Sequence, residues 1–361
     1  LFVYFVIAFG DVSAQTKGDW EVNWKNTLTA GTKETKVVVY GPPGNVIRKV
    51  LTEEFKKAFP TLELEYTGGT GNLLASKLRA ERDGGIHSVD VILSGANTGT
   101  LTLKPMGALD PIEPILILPE VRNRKLWRDQ ELHFADSEKR LVLTFVAQVS
   151  PVAVYDPRQV RPEEINELKK LLNPKWKGEI VLNDPIQGGA GAPFFRLMWV
   201  KLGAEKARDY YKRLRTQIGS VTRNTRSQLE WVARGKSAIG LAPSDASIGQ
   251  LEGQGLTFGV LREFEDIGAR LTASYGCVML VNGAPHPNAA AVFVNWLLSK
   301  EGQTVWSKAL QHKSRRNDVP VDHLSSYQIP VPQGNYWDST VETAQRRTPE
   351  EEQIVRKLFA K

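Results

Sequence analysis

Lys36-Val37-Val38-Val39-Tyr40-Gly41-Pro42-Pro43-Gly44-Asn45 sets the class of this chain. An unbroken apolar run of this kind marks a strand buried on both faces. Gly41-Pro42-Pro43-Gly44 breaks it, and the next residues change period. Val46, Val50, Leu51, Phe55 and Phe59 are spaced for a helix over Asn45–Phe59, which Pro60 stops. The pattern then repeats. Leu62-Glu63-Leu64-Glu65-Tyr66 alternates like a strand, Thr67–Asn72 reads as a turn, and Leu73–Arg82 reads as a helix. Ser88–Leu93 is a third strand, followed by Ser94-Gly95-Ala96-Asn97. Three strand–turn–helix units in succession predict an α/β fold built on a parallel, doubly wound sheet.

Further along, Leu101–Trp127 carries Pro105, Pro111, Pro114 and Pro119 and reads as irregular surface. Leu141–Tyr155 is a β-rich stretch longer than the usual strand of about 5–6 residues, and Pro151 interrupts it. A second α/β series follows. It has a helix over Pro162–Leu172, a strand over Gly178–Leu182 and a Gly-rich turn over Asn183–Ala192. Helices are expected over Pro193–Leu202, Lys206–Arg215 and Ser227–Ala233, and strands over Ser237–Ala242 and Leu256–Leu261. Leu271–Val281 is again long and β-rich, ahead of helices over Asn288–Leu298 and Glu301–Leu310. The two long stretches bracket the middle of the chain. This predicts a discontinuous first domain with a second domain inserted into it, joined by two strands. Residues 332–361 form an extension that ends in a helix, with Thr348 as its N-cap and Pro349 in its first turn.

The 361 residues suit about two domains. Leu1–Phe9 is too short to span a bilayer, which takes about 20 apolar residues. With Val12-Ser13-Ala14 after it, residues 1–14 fit the apolar core and cleavage site of a secretory signal. The alternative is a buried N-terminal strand. No later segment is long enough to span a membrane, so a soluble exported chain is expected. The net charge of +7 is spread among acidic residues without interleaved aromatics, which argues against a nucleic-acid partner. The one cysteine, Cys277, lies in an apolar run and is expected in a core. His87, His133, His286, His312 and His323 are dispersed and form no metal-ligand pattern. There is no Gly-x-Ser-x-Gly elbow, and Gly68-Gly69-Thr70-Gly71-Asn72 lacks the lysine of a phosphate loop. Neither a catalytic group nor a cofactor is indicated.

Several segments carry a resemblance. Val37–Gly41, Phe55-Lys56-Lys57-Ala58-Phe59-Pro60 and Asp90-Val91-Ile92 resemble the opening of type 2 periplasmic solute-binding proteins. Lys175–Ile180 resembles the start of their second lobe, and Val232–Gly240 their helix–Gly–strand signature. Ala284–Ala290 with Leu297–Gln303 is the most specific match. The chain is most similar to the ferric-iron-binding branch of the family 1 solute-binding proteins. The resemblance covers about Lys36 to Pro320. It implies two lobes with mixed sheets, residues 36–145 with 274–331 and residues 147–273, two hinge strands, a small ligand in the cleft, and partnership with the permease of an ABC importer in the periplasm. A monomer is expected. Iron-binding relatives carry a Tyr-Tyr pair where this chain has Ser244-Asp245-Ala246, and their first-loop histidine is absent. Tyr210-Tyr211 lies in a helical stretch and is expected to pack there. An organic anion or zwitterion is therefore the expected ligand. Ferric iron or an iron chelate is the alternative, and an exported enzyme or sensor lobe on the same fold comes after it.

In such sheets ligands sit beyond the carboxyl ends of the strands, where helix N-termini present free N–H groups. That rule selects Gly41, Pro43, Gly44 and Asn45 after the first strand, Gly71 and Asn72 after the second, and Ser94 and Gly95 after the third. It also selects Gln148 at the crossing, Gly188, Gly189 and Ala190 in the Gly-rich turn, and Ser244 and Asp245 in the last loop. Arg223 and Arg226 suit a carboxylate or phosphate by bidentate bonding, or are solvated surface arginines. Asp245 suits an ammonium or hydroxyl, or is a helix cap.

Overall fold

The computed structural model describes residues 18–186, 190–331 and 333–360. The predicted signal segment, residues 1–14, and Gly188 and Gly189 lie outside the described residues. In chain order the strands are β1 (Lys36–Gly41), β2 (Glu63–Gly68), β3 (Val91–Ser94), β4 (Leu109–Asp110), β5 (Leu143–Thr144), β6 (Gln148–Ser150), β7 (Ala153–Tyr155), β8 (Ile180–Asn183), β9 (Ile218–Thr222), β10 (Ile239–Leu241), β11 (Gly259–Leu261), β12 (Ala269–Thr272), β13 (Cys277–Val281) and β14 (Tyr336–Asp338).

They form three sheets. The first has the order β2-β1-β3-β13-β4, with β5 also on β13. β1 runs parallel to β2 and β3, while β13 runs antiparallel to β3, so the sheet is mixed. The helices Asn45–Ala58, Pro287–Leu298 and Lys300–Leu310 cover it, and Phe55, Phe293 and Trp296 meet edge to face in its core. The second sheet has the order β11-β7-β10-β8-β9 and is also mixed. The helices Gly191–Leu202 and Ala204–Gln217 pack on it with Trp176 and Phe264. The third sheet is β14-β12-β6.

The third sheet explains the two long β-rich stretches. Leu141–Tyr155 is not one strand: it gives β5 to the first sheet, β6 to the third and β7 to the second. Residues 269–281 likewise give β12 to the third sheet and β13 to the first. Ser274, with φ of 48°, turns the chain between them. Both crossings between the large sheets therefore run through one small sheet.

Four local readings are corrected. Pro162–Leu172 forms two short 3-10 stretches, Pro162–Glu164 and Leu168–Leu172, because the backbone leaves helical geometry at Ile165 and Glu167. β9 and β14 are additional strands, and Asp245–Glu252 is an additional helix. The extension crosses the molecule. Glu342 accepts from Lys104 Nζ at 2.8 Å and from Ser137 N at 3.0 Å, beside the first sheet. Arg347 donates to the Pro185 and Ala192 carbonyls, and Phe359 stacks edge-on against Phe195, beside the second. Thr348 caps the last helix through the N–H of Glu351, as its sequence predicts.

Candidate functional site

The third sheet, β14-β12-β6, which carries both crossings and is termed the hinge sheet, has two unlike faces. Val149 opposes Leu271, and both are buried in the apolar core of the second sheet's side. Gln148 opposes Thr272 and Ser150 opposes Arg270. Directly opposed residues of an antiparallel pair share a face, so these four polar side chains lie together on the other one. Gln148 joins the halves of the molecule. Its Nε2 donates to Asp245 Oδ2 at 2.6 Å, and its Oε1 accepts the Lys313 N–H at 3.1 Å.

Asp245 opens the helix Asp245–Glu252 at the carboxyl end of β10, and its N-cap Ser244 makes no side-chain cap bond. Its carboxylate acts electrostatically on Arg270, Tyr275, His312 and Tyr327. Those four come from the hinge strand, the loop after it and the segment beyond the helix Lys300–Leu310. Burial pushes the His312 pKa down to about 4 and that of Lys313 down to about 8. Burial also pulls the Arg270 pKa down, and the Asp245 charge offsets part of the effect. A guanidinium starts so high that it stays cationic.

The first sheet's loops form a second polar edge. Gly71 begins the helix Gly71–Asp83, and Thr70 at its N-cap makes no side-chain bond, which leaves first-turn N–H groups uncapped by a side chain. A Cβ at Gly71 would lie 2.8 Å from the Ser94 hydroxyl and would also run into Thr98, so only glycine admits this approach. Ser94 Oγ is buried and has no hydrogen-bond partner among the described residues. Gly95 and Asn72 flank this edge. Gly41, Pro43, Gly44 and Asn45 lie at the end of β1, where Gly44 has φ of 127° and precedes a helix without a side-chain cap.

The remaining selected residues stand differently. Ala190 is the N-cap of the helix Gly191–Leu202, whose first N–H is held by Asn183 Oδ1 at 3.1 Å. Arg223 Nε donates to Asp184 Oδ2 at 2.8 Å, and the side chain is 67% exposed. Arg226 pairs with Glu230 at 2.7 Å one turn along and is 52% exposed. Asn224 caps their helix through the Ser227 N–H. Tyr210 and Tyr211 are buried in the helix Ala204–Gln217 and donate to the Leu168 and Phe195 carbonyls, as helix packing predicts. A cavity of about 460 Å³ lined by Glu113, Leu116, Arg122, Arg124 and Leu132 shares no residue with these loops.

Arg270 is the residue that the sequence reading passed over. It is 9% exposed, and among the described residues its side chain makes one hydrogen bond, to Ser339 Oγ at 3.4 Å. The signal was a single cation ahead of the apolar run Leu271–Val281, which was read as starting one residue later.

The bacterial extracellular solute-binding protein model matches residues 51–316. An uncharacterized protein of Haemophilus influenzae is 24% identical over 269 residues, 74% of each chain. Among solved structures, the periplasmic binding protein AfuA of Actinobacillus pleuropneumoniae, with fructose-6-phosphate bound, aligns with a TM-score of 0.64 at 20% identity, covering 89% of this chain and 97% of its own. Iron-bound HitA of Pseudomonas aeruginosa aligns with a TM-score of 0.66 at 18% identity, covering 90% and 99%. The open ferric iron-binding protein A of Mannheimia haemolytica aligns with a TM-score of 0.70 at 12% identity, covering 90% and 98%. The match runs through both large sheets and both hinge strands. This chain belongs to the bacterial extracellular solute-binding protein family and has the two-lobed α/β fold of the periplasmic binding proteins.

Proposed function

We propose that this chain captures a small organic anion or zwitterion between two lobes and delivers it, unchanged, to the permease of an ABC importer. The lobes would be residues 36–145 with 274–331 and residues 147–273, and the chain would act in the periplasm as a monomer. The observation that carries the reading is the hinge sheet. Both crossings meet in it, and its polar face joins Gln148 of one crossing to Asp245 of the second sheet's loop. Short paired strands between two rigid bodies are the usual means of hinge closure. The helix starting at Gly71 supports an anion, because its first-turn N–H groups are uncapped by a side chain and the buried Ser94 hydroxyl beside them has no partner among the described residues. No described helix is long and apolar enough to cross a membrane, which fits a role beside the membrane.

A thermal-shift screen over organic anions, amino acids, polyamines and ferric citrate tests this, since a ligand of the folded state raises the melting temperature. The expected result is a shift with an organic anion or zwitterion that mass spectrometry recovers intact. Conversion of the solute, or a response to polyamines alone, would contradict it.

A further inference from the structure

We propose that Arg270 is the anchor for the ligand's oxyanion, and that Asp245 beside it takes an amino or hydroxyl group of the same ligand. This rests on the solute-capture reading and names the ligand's chemistry. Three arginines among the described residues are at least nine-tenths buried. Arg316 donates to Asp318 at 2.8 Å and to Glu120 at 3.1 Å, and also to two carbonyls. Arg315 donates to Asp338 at 3.1 Å. Arg270 has no carboxylate within ion-pair distance among the described residues, and uses one of its five N–H donors on a long bond to a serine hydroxyl. Asp245 attracts it from beyond that distance.

A cation taken out of water without a counter-ion is strongly disfavoured. Burying one at the hinge makes sense when an anion fills its empty donors in the working state. A guanidinium offers two parallel N–H bonds to a carboxylate or a phosphate, so either oxyanion fits. Among the described residues, Asp245 accepts a side-chain hydrogen bond through one oxygen, from Gln148. Its other oxygen is then left for a donor on the ligand. A carboxylate beside the site repels a bare dianion and favours a ligand that brings an ammonium or hydroxyl with it. The site therefore takes amino- or hydroxy-substituted carboxylates, or phosphate esters.

The test uses the full chain, with Arg270→Met, Arg270→Lys, Asp245→Asn and Arg223→Ala. Probes are inorganic phosphate, O-phosphoserine, glutamate and malate, with glucose and spermidine as uncharged and cationic controls. In chloride buffer, Arg270→Met should melt higher than the wild type, because it removes a buried charge that nothing balances. At tens of millimolar, at least one oxyanion probe should raise the wild-type melting temperature, and Arg270→Met should weaken its binding by about 30-fold or more. Arg270→Lys should keep part of the affinity. Asp245→Asn should weaken O-phosphoserine or glutamate relative to inorganic phosphate. Three results would overturn the proposal: a lower melting temperature for Arg270→Met with probe binding intact, loss of binding in Arg223→Ala instead, or a wild type that responds to no oxyanion. A wild type that binds only glucose would overturn the Arg270 anchor and leave capture of a solute standing, whereas one that binds only spermidine would overturn the anionic-ligand reading as well.

Discussion

Within about fifty residues the chain buries basic groups in three different ways. Beside the first sheet, Arg315 and Arg316 are buried and paired with carboxylates. Next to the hinge, His312 is buried and neutral, its Nδ1 accepting from Trp306 Nε1 at 3.3 Å. On the hinge sheet, Arg270 is buried, charged and without a carboxylate at ion-pair distance among the described residues. The first two arrangements cancel the cost of burial inside the protein itself. The third leaves it to be cancelled from outside. Structural and ligand-binding cations thus differ in their partners, although residue type and burial are the same.

The sharpest test of this comparison is Arg316→Ala. It removes a paired guanidinium and leaves Asp318, Glu120 and two carbonyls without their donor. The two carbonyls lose their buried donor and the core loses the guanidinium's packing, while Asp318 and Glu120 are part-exposed, so the variant should lose about 2–3 kcal/mol in urea unfolding. A loss near zero would erase the contrast with Arg270.

His312 sets the next test. Its folded pKa lies at about 4, below the ordinary value of 6.5, because burial disfavours the charged ring. The unfolded chain then binds the proton first as pH falls. The contribution is complete above pH 6.5 and is lost progressively down to pH 4. Stability should fall by up to about 1.4 kcal/mol per pH unit in that window, and His312→Asn should flatten the slope. An unchanged slope in the variant would show that another group carries the acid sensitivity.

The smallest effect belongs to Arg226. Half exposed and paired one turn along its own helix, it should cost no more than about 0.5 kcal/mol as Arg226→Ala. A larger loss of stability would place it with the buried pairs.

Much of the first sheet was legible because its strands and helices have clean periods. Val37–Tyr40, the helix face of Leu51 and Phe55, and the Thr348 cap each follow from one local rule. The crossings were visible as long β-rich stretches, but apolar period does not say which sheet a segment joins. Leu141–Tyr155 therefore looked like one element where the structure has three. β9 escaped because Ile218-Gly219-Ser220-Val221-Thr222 is an edge strand with exposed Gly219 and Ser220 and no alternating apolar face. The helix Asp245–Glu252 escaped because Ser247 and Gly249 weaken its helical signal. The loop rule selected Gln148, Asp245, Gly71 and Ser94, which lie in or beside polar clusters of the structure. It favoured loop arginines over a strand arginine, because nothing in a sequence tells a paired cation from an unpaired one.

Closure on a solute is the central claim, and one distance tests it most directly. Cys277 is fully buried, and burial raises its thiol pKa, so two engineered surface cysteines can be labelled cleanly. Lys49→Cys and Arg226→Cys sit in the first two turns of the helices that follow β1 and β9, and both native side chains are more than half exposed. Electron–electron resonance between spin labels there should show a shorter distance when the most stabilising solute of the screen is added, with the longer distance restored on its removal. A distance that stays the same at saturating solute would contradict capture by hinge closure.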